Sequence, residues 1–308
     1  MKTLTISYIT ARPEPRLDWF TESLERCVAQ ELGGKWAGID VIVVDALRNT
    51  RVNTIRLPCP VQHVLPKPTV WQGASRLTKQ DWWAMSNARN TAICLSRSEW
   101  IAFLDDRSVL QLGYFKALTE AMAGNYGVAG GYEKRKDMTV ERGVIKNGGI
   151  ITGNDGRIEH QAKFNLPNPM SCGGEWFFGA NFAMPLEWTL EVNGIDETCD
   201  GSSMEDVIFG MQLQHCGHSL KFDSRMKIIE DRTPGLTGTP MIRRDKGVSP
   251  NDKSHALLAK CGSVKRALHH WDMRKVRLNV LAGMGFPKAT TPTHDWYDGQ
   301  PLSEMTPG

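Results

Sequence analysis

Apolar and polar positions along the first part of the chain fall into two alternating rhythms. Short β-branched runs such as Ile39-Asp-Val-Ile-Val-Val44 and Trp100-Ile-Ala-Phe-Leu104 read as strands buried on both faces. Helix-period stretches lie between them. The pattern predicts strands at 3–10, 39–45, 100–105 and 128–132, and helices at 17–32, 81–96 and 114–123. Such alternation predicts an α/β fold with a mostly parallel sheet flanked by helices. Prolines and Gly73 between 58 and 79 predict an irregular excursion holding one short strand at 61–65. Residues 133–174, rich in Gly, Asn and charge, read as an insertion or loop region. From Trp176 the pattern tightens: an apolar strand to Met184, a helix with Pro185 in its first turn, a turn at Asn193-Gly194, and a helix from Ser203 to His215 that Gly217 ends.

Composition adds bounds. The 308 residues are 41% hydrophobic and 23% charged, ordinary values for a globular protein. No apolar run approaches the roughly 18 to 20 residues that span a bilayer, and the N-terminus enters a strand pattern at once, without a secretory h-region. A cytoplasmic protein is the expectation. The 7 Cys are scattered with no Cys-x-x-Cys pair, which predicts reduced thiols rather than a disulfide framework or zinc site.

Net charge is only +3, so an anionic partner must be met by a local patch. One candidate is C-terminal: residues 243–277 hold 10 Lys or Arg against Asp245, Asp252 and Asp272. The chain therefore divides into a catalytic region, 1–235, and a basic helical extension with a loose tail, 236–308.

Three acidic elements sit where chemistry collects in α/β proteins, at strand ends and helix starts. Asp105-Asp106 follows a buried strand, where paired carboxylates suit Mg²⁺ or Mn²⁺ bridging a diphosphate, or cap a helix. Glu205-Asp206 opens a helix; one could be a general base, or both could simply complement the helix dipole. Asp45 could bond a uracil edge or a ribose hydroxyl, or initiate a turn. Arg89 could bind phosphate or pair with Asp105. The Gly-Gly pairs form neither a Walker loop nor a dinucleotide fingerprint.

Seven short motifs in order carry a resemblance: Ser7-Tyr-Ile-Thr-Ala-Arg-Pro13, Val43-Val-Asp45, Asn87-Ala-Arg-Asn-Thr91, Ile101-Ala-Phe-Leu-Asp-Asp106, Phe178-Gly-Ala-Asn-Phe-Ala-Met-Pro185, Asn193-Gly-Ile-Asp-Glu197 and Glu205-Asp206. Over residues 3–230 the chain resembles family 2-like glycosyltransferases of the GT-A fold. The resemblance implies inverting transfer from a UDP-sugar. It places Thr10, Arg12, Asp45 and Arg89 at the nucleotide, Asp105 and Asp106 at metal and diphosphate, and Asp206 as base with Glu205 beside it. Many relatives carry a further Asp where Arg107 stands, and often a His after the last core strand. Here Ile228-Ile-Glu-Asp231 stands there, leaving Glu230, Asp231 or His255 as third metal ligand.

For the acceptor, the basic segment with His269, His270 and Trp271 could track a nucleic-acid backbone, bind anionic lipid, or face solvent. No large apolar face suits insertion, while Trp71, Trp82, Trp83 and Trp176 could stack an extruded base. The stretch from Trp71 to Asn90 resembles phage-encoded members. The specific expectation is sugar transfer to a 5-hydroxymethylpyrimidine in DNA, within a host cytoplasm. A polysaccharide or lipid-linked acceptor, and a non-catalytic sugar-nucleotide or glycan-binding protein, are the alternatives.

Overall fold

Four parallel strands, Leu4–Thr10 (β1), Ile39–Asp45 (β2), Val61–Val64 (β3) and Trp100–Asp105 (β4), form one half of a sheet in the order β3-β2-β1-β4. The structure is a computed structural model describing residues 2–51, 55–68, 84–151, 155–178, 181–200, 204–233, 255, 258–269 and 271–287. Alternate side chains go to opposite faces of a strand. Ile6, Tyr8, Val41, Val43, Ala102 and Leu104 enter one core, while Ile9, Ile42, Val44, Ile101 and Phe103 enter the other.

Helices cover both faces. Leu17–Glu31 (α1) buries Phe20, Leu24, Cys27 and Val28 at helical spacing against the first face. Met85–Leu95 (α2) lies on the second, where Ala88 and Ala92 let its backbone approach the sheet. Asp200 caps α2, accepting from the Ser86 and Asn87 amides at 2.7 and 3.3 Å.

After Ser108–Leu110 (β5) and Tyr114–Gly124 (α3), the sheet continues through Gly127–Glu141 (β6) and its hairpin partner Val144–Ile150 (β7). Gly156–Lys163 (α4), Met170–Ser171 (β8), Asn181–Pro185 (β9), Leu186–Glu191 (α5), Glu205–His215 (α6), Leu220–Asp231 (β10) and Met273–Leu281 (α7) follow. The strand order is β3-β2-β1-β4-β9-β6-β10-β5. The parallel character holds from β3 to β4; β9 is antiparallel to both β4 and β6, and β10 runs parallel to β6.

Two stretches differ from the expectation. Residues 133–174 are not a loop: β6 runs on to Glu141 and turns into β7, and α4 and β8 follow. The far part of this hairpin covers only a small cluster, Met138, Val140 and Ile145 with Trp19, Val109 and Ile229, so most of its residues are polar and the strand signal is short. The strand expected from Trp176 begins at Asn181; Gly174–Trp176 is instead a 3₁₀ turn pressed against α6. A Cβ on Gly210 would lie 2.6 Å from Phe177 Cβ, so the glycine allows that contact.

The described part of the C-terminal extension shares the main core. Trp271, Met273 and Val276 are buried in the cluster that holds Ile195, Phe209 and Leu213. Residues 258–269 lie along α6 as a strap, joined by Gln212 Nε2 to Cys261 O (3.2 Å), Ala267 N to Val192 O (2.8 Å) and Leu268 N to Asp196 Oδ2 (2.7 Å). Among the described residues, no helix is long and apolar enough to cross a membrane.

Candidate active site

Strand register brings the acids to one edge of the sheet. Thr10 lies opposite Asp45, and Ile9 opposite Asp105, so β1, β2 and β4 end together. The α6 acids meet them through Arg89. Its Nη2 donates to Asp105 Oδ1 at 2.9 Å and its Nη1 to Glu205 Oε1 at 2.8 Å. With 1% of its surface exposed, Arg89 spans two acids instead of facing a nucleotide openly. Burial works against its charge, but Asp105, Glu205 and Asp206 raise its pKa above the usual arginine value.

Asp206, partly exposed in the first turn of α6, accepts from the Val207 amide at 2.8 Å. Desolvation, then the adjacent Glu205 carboxylate, push its pKa up to about 7 against the pull of Arg89. That places a carboxyl near neutrality, as a general base requires. Met204, immediately before α6, has φ 77°, a left-handed conformation that is costly for a side-chain-bearing residue and positions the first turn.

Asp106 is turned into a buried cluster. Thr10 Oγ1 donates to its Oδ2 at 2.6 Å and Arg12 Nε to its Oδ1 at 2.9 Å, while the Arg12 amide donates to Thr10 Oγ1. Burial raises its pKa despite Arg12. Both carboxylate oxygens are thus engaged, and Asp105, with 23% of its side chain exposed, is the more open of the pair.

Asp45 is fully buried. It accepts from Arg51 Nε (2.8 Å) and the Leu47 amide (2.8 Å), and His63 Nε2 lies 3.0 Å away. Burial favours its protonation, but these hydrogen bonds outweigh that and lower its pKa. Arg51 also holds the carbonyls of Arg12 and Pro13. Through Arg51, Asp45 clamps the loop after β1. An open cavity of about 730 Å³ adjoins the clamp, lined by Pro13, Arg16, Thr50, Arg51 and Arg56 among others.

Of the three proposed further metal ligands, Asp231 is committed to Arg107 and to Thr233. Arg107 itself is fully buried, so its guanidinium does not stand in the open as a substitute cation. His255 is exposed on the C-terminal segment. Glu230 is the one beside the acids: burial, opposed by Arg232 and reinforced by Asp105 and Asp106, raises its pKa to about 7. Its Oε1 accepts from Arg232 at 2.7 Å. Among the described residues no cluster of three or more His, Cys, Asp or Glu is arranged as a metal cage. Magnesium-type ions on nucleotides usually take one or two carboxylates plus substrate phosphates, and Asp105 with Glu230 fits that pattern.

Sequence reasoning missed an aromatic group next to Glu230. Tyr132 lies on β6 two residues from Lys134, which pairs in register with Glu230. Its ring is 6.2 Å from Phe178 and 5.0 Å from Lys134 Nζ, and the Arg157 guanidinium lies 4.0 Å from the Phe178 ring. No spacing rule could have joined residues from β6, α4 and the segment before β9. Trp176 stands nearby, edge-on to Phe222 and His160. Trp71, Trp82 and Trp83 lie outside the described residues, as do His270 and residues 243–253 of the basic segment.

The described basic residues of α7 lead away from the acids. Arg277 Nη2 donates to Ser96 O beyond the end of α2, roughly 10 Å along the helix axis from Arg89 at 1.5 Å per residue, and Arg274 pairs with Glu187.

Among solved structures, GalNAc-T7, crystallised with UDP, GalNAc and Mn²⁺, matches 84% of this chain and 48% of its own, with TM-score 0.54 and 12% identity. The fold is GT-A-like. The chain thus spans about half the length of that protein, and at such identity the likeness is one of fold. No protein-family profile and no curated protein matches the chain.

Proposed function

We propose that the protein is a glycosyltransferase that moves a sugar from a UDP-sugar to an acceptor hydroxyl with inversion at the anomeric carbon. The observation that carries this reading is the Arg89 bridge, which sets the acid ending β4 beside the acids opening α6. The architecture is shared with a protein crystallised with UDP, GalNAc and Mn²⁺.

In this reading Asp206 takes the proton of the acceptor hydroxyl, and Glu205 orients it through their common neighbour Arg89. Thr10, Arg12 and Asp106 hold the loop after β1 rigid, and Asp45 acts on the nucleotide end through Arg51. Asp105 and Glu230 would hold Mn²⁺ or Mg²⁺ with the donor phosphates. Such an ion neutralises charge on the departing diphosphate.

For the acceptor, Tyr132 and Phe178 beside Lys134 support a planar, anionic partner, since aromatic faces stack bases and cations meet phosphates. A 5-hydroxymethylpyrimidine base extruded from DNA is the acceptor we infer.

The test is incubation with mixed UDP-sugars, Mn²⁺ or Mg²⁺ and DNA containing 5-hydroxymethylcytosine or 5-hydroxymethyluracil, read by nucleoside mass spectrometry. A hexose-sized mass gain supports donor class and acceptor together. UDP-sugar hydrolysis without that gain transfers the acceptor to a glycan or lipid. Binding of UDP-sugar with no turnover on any acceptor overturns the enzyme in favour of a binding protein.

A further inference from the structure

The strap and the turn before α6 enclose a small core of their own. Cys199 and Cys261 are buried in it with Ile208, and Met204, Leu258 and Leu268 pack around them. Cys199 belongs to the Glu197–Cys199 turn, a few residues before Asp206, while Cys261 belongs to the strap. Both thiols sit in this one cluster, close enough that each shifts the titration of the other. Thr198 Oγ1 lies 3.8 Å from Cys261 Sγ. No step of the proposed transfer uses either sulfur. The interaction with Cys199 lowers the pKa of the Cys261 thiol, while the interaction with Cys261 and burial raise that of Cys199 well above the usual value, so Cys261 is the better thiolate.

We propose that Cys199 and Cys261 form an oxidisable dithiol, a disulfide site that fastens the strap to the turn preceding α6, with a small-molecule disulfide of the glutathione class as oxidant. The Cys261 thiolate attacks one sulfur of the oxidant, forming a mixed disulfide and expelling one thiolate. Cys199, giving its proton to that thiolate, attacks Cys261 Sγ and expels the second thiolate, which takes up the proton Cys261 released on ionising. Two protein thiols become one disulfide, and the oxidant is reduced to two thiols. Both sulfurs are almost completely buried, so reaction proceeds through local opening of the strap and is slow in the closed protein.

Bond formation changes the geometry at the start of α6. The sulfurs must close to about 2.04 Å, drawing the strap and the 197–199 turn together around Met204. A displacement of about 1 Å at a catalytic group can cost roughly 10²-fold in rate. This consequence rests on Asp206 acting as the base; the disulfide itself does not.

The experiment treats the reduced full-length chain with glutathione disulfide, blocks free thiols and maps the unreduced digest by mass spectrometry. The expected result is a Cys199–Cys261 peptide that dithiothreitol abolishes, present in Cys216→Ser and absent in Cys261→Ser. Circular dichroism and the unfolding midpoint confirm that Cys261→Ser is folded, and Cys199→Ala provides a second variant lacking the link. Persistent glutathione on Cys261, links through other cysteines, or an unlinked pair while half-buried Cys59 is glutathionylated would each overturn the site. With the link mapped, turnover is expected to fall at least 10-fold, with donor KM unchanged, and to recover on reduction. Unchanged turnover in fully linked protein overturns control of α6.

Discussion

Asp105 and Glu205, carried by β4 and α6, accept from the two terminal nitrogens of one guanidinium, that of Arg89. The bridge makes the end of the sheet and the start of α6 a single unit. Removing one partner of a buried ion pair leaves an uncompensated charge and typically costs about 3–5 kcal/mol. Arg89→Ala is expected to lower the unfolding midpoint markedly and to abolish transfer. Arg89→Lys, which keeps charge but loses the planar fork, is expected to fold and to lose at least 10-fold in kcat; unfolding curves and initial rates check both.

Asp206→Asn is expected to keep UDP-sugar binding within about 3-fold while cutting transfer by at least 10²-fold, consistent with loss of a general base. Titration calorimetry with UDP-sugar and single-turnover transfer measure the two effects separately. Lost binding would remove Asp206 from the role of base.

The raised pKa values of Asp206 and Glu230, both about 7, give two pH dependences. A base must be unprotonated, so kcat/KM is expected to rise through about pH 7 and level above it. Stability moves the other way. In the folded state these carboxyls hold protons more tightly than in the unfolded chain, so the stability they contribute at acidic pH is lost as pH rises toward and through about 7. Melting scans from about pH 5.5 to about pH 8.5 should show the midpoint falling, and Asp206→Asn with Glu230→Gln should flatten the slope.

Much of the frame was legible in the sequence because buried strands leave long β-branched runs. Ile39–Asp45 and Trp100–Asp105 are observed with the limits expected. The acids at their ends were therefore placed correctly along the chain, and the pairing of Arg89 with Asp105 was one of the two readings the sequence offered, but the partners of Asp45 and Asp106 were not foreseen. That Asp45 is used up by Arg51 and His63, or Asp106 by Thr10 and Arg12, depends on loop paths and rotamers that no periodicity encodes. The β6–β7 hairpin escaped for a different reason: its buried face is short, Met138 and Val140 with Ile145 opposite, and the surrounding Lys134, Lys136, Asp137 and Glu141 leave only a weak strand signature.

Gly210→Ala is expected to force α6 away from the Gly174–Trp176 turn, because the added Cβ would lie 2.1 Å from the Gly174 carbonyl oxygen and 2.6 Å from Phe177 Cβ. Overpacking of this kind costs typically about 1–3 kcal/mol. The shift of α6, which carries Glu205 and Asp206, should cost transfer more than stability would suggest; comparing kcat with the unfolding midpoint checks this.

Trp271→Ala should detach the C-terminal segment. The indole donates to Glu197 Oε2 at 2.8 Å, and Lys67 Nζ lies 4.4 Å from its ring. Truncating a buried tryptophan costs typically about 3–5 kcal/mol. Hydrogen exchange of residues 258–281 should accelerate ahead of the sheet strands.

The strap also dictates an order of biosynthesis. The ten strands among the described residues have been translated by Asp231, yet Ile208 and Met204 at the head of α6 receive Leu258, Cys261 and Leu268 only when the C-terminal stretch emerges. A nascent chain paused before that point can close its sheet while its candidate base helix still lacks its last wall. Proteolysis that releases the strap from a finished molecule would return the helix to that unfinished state.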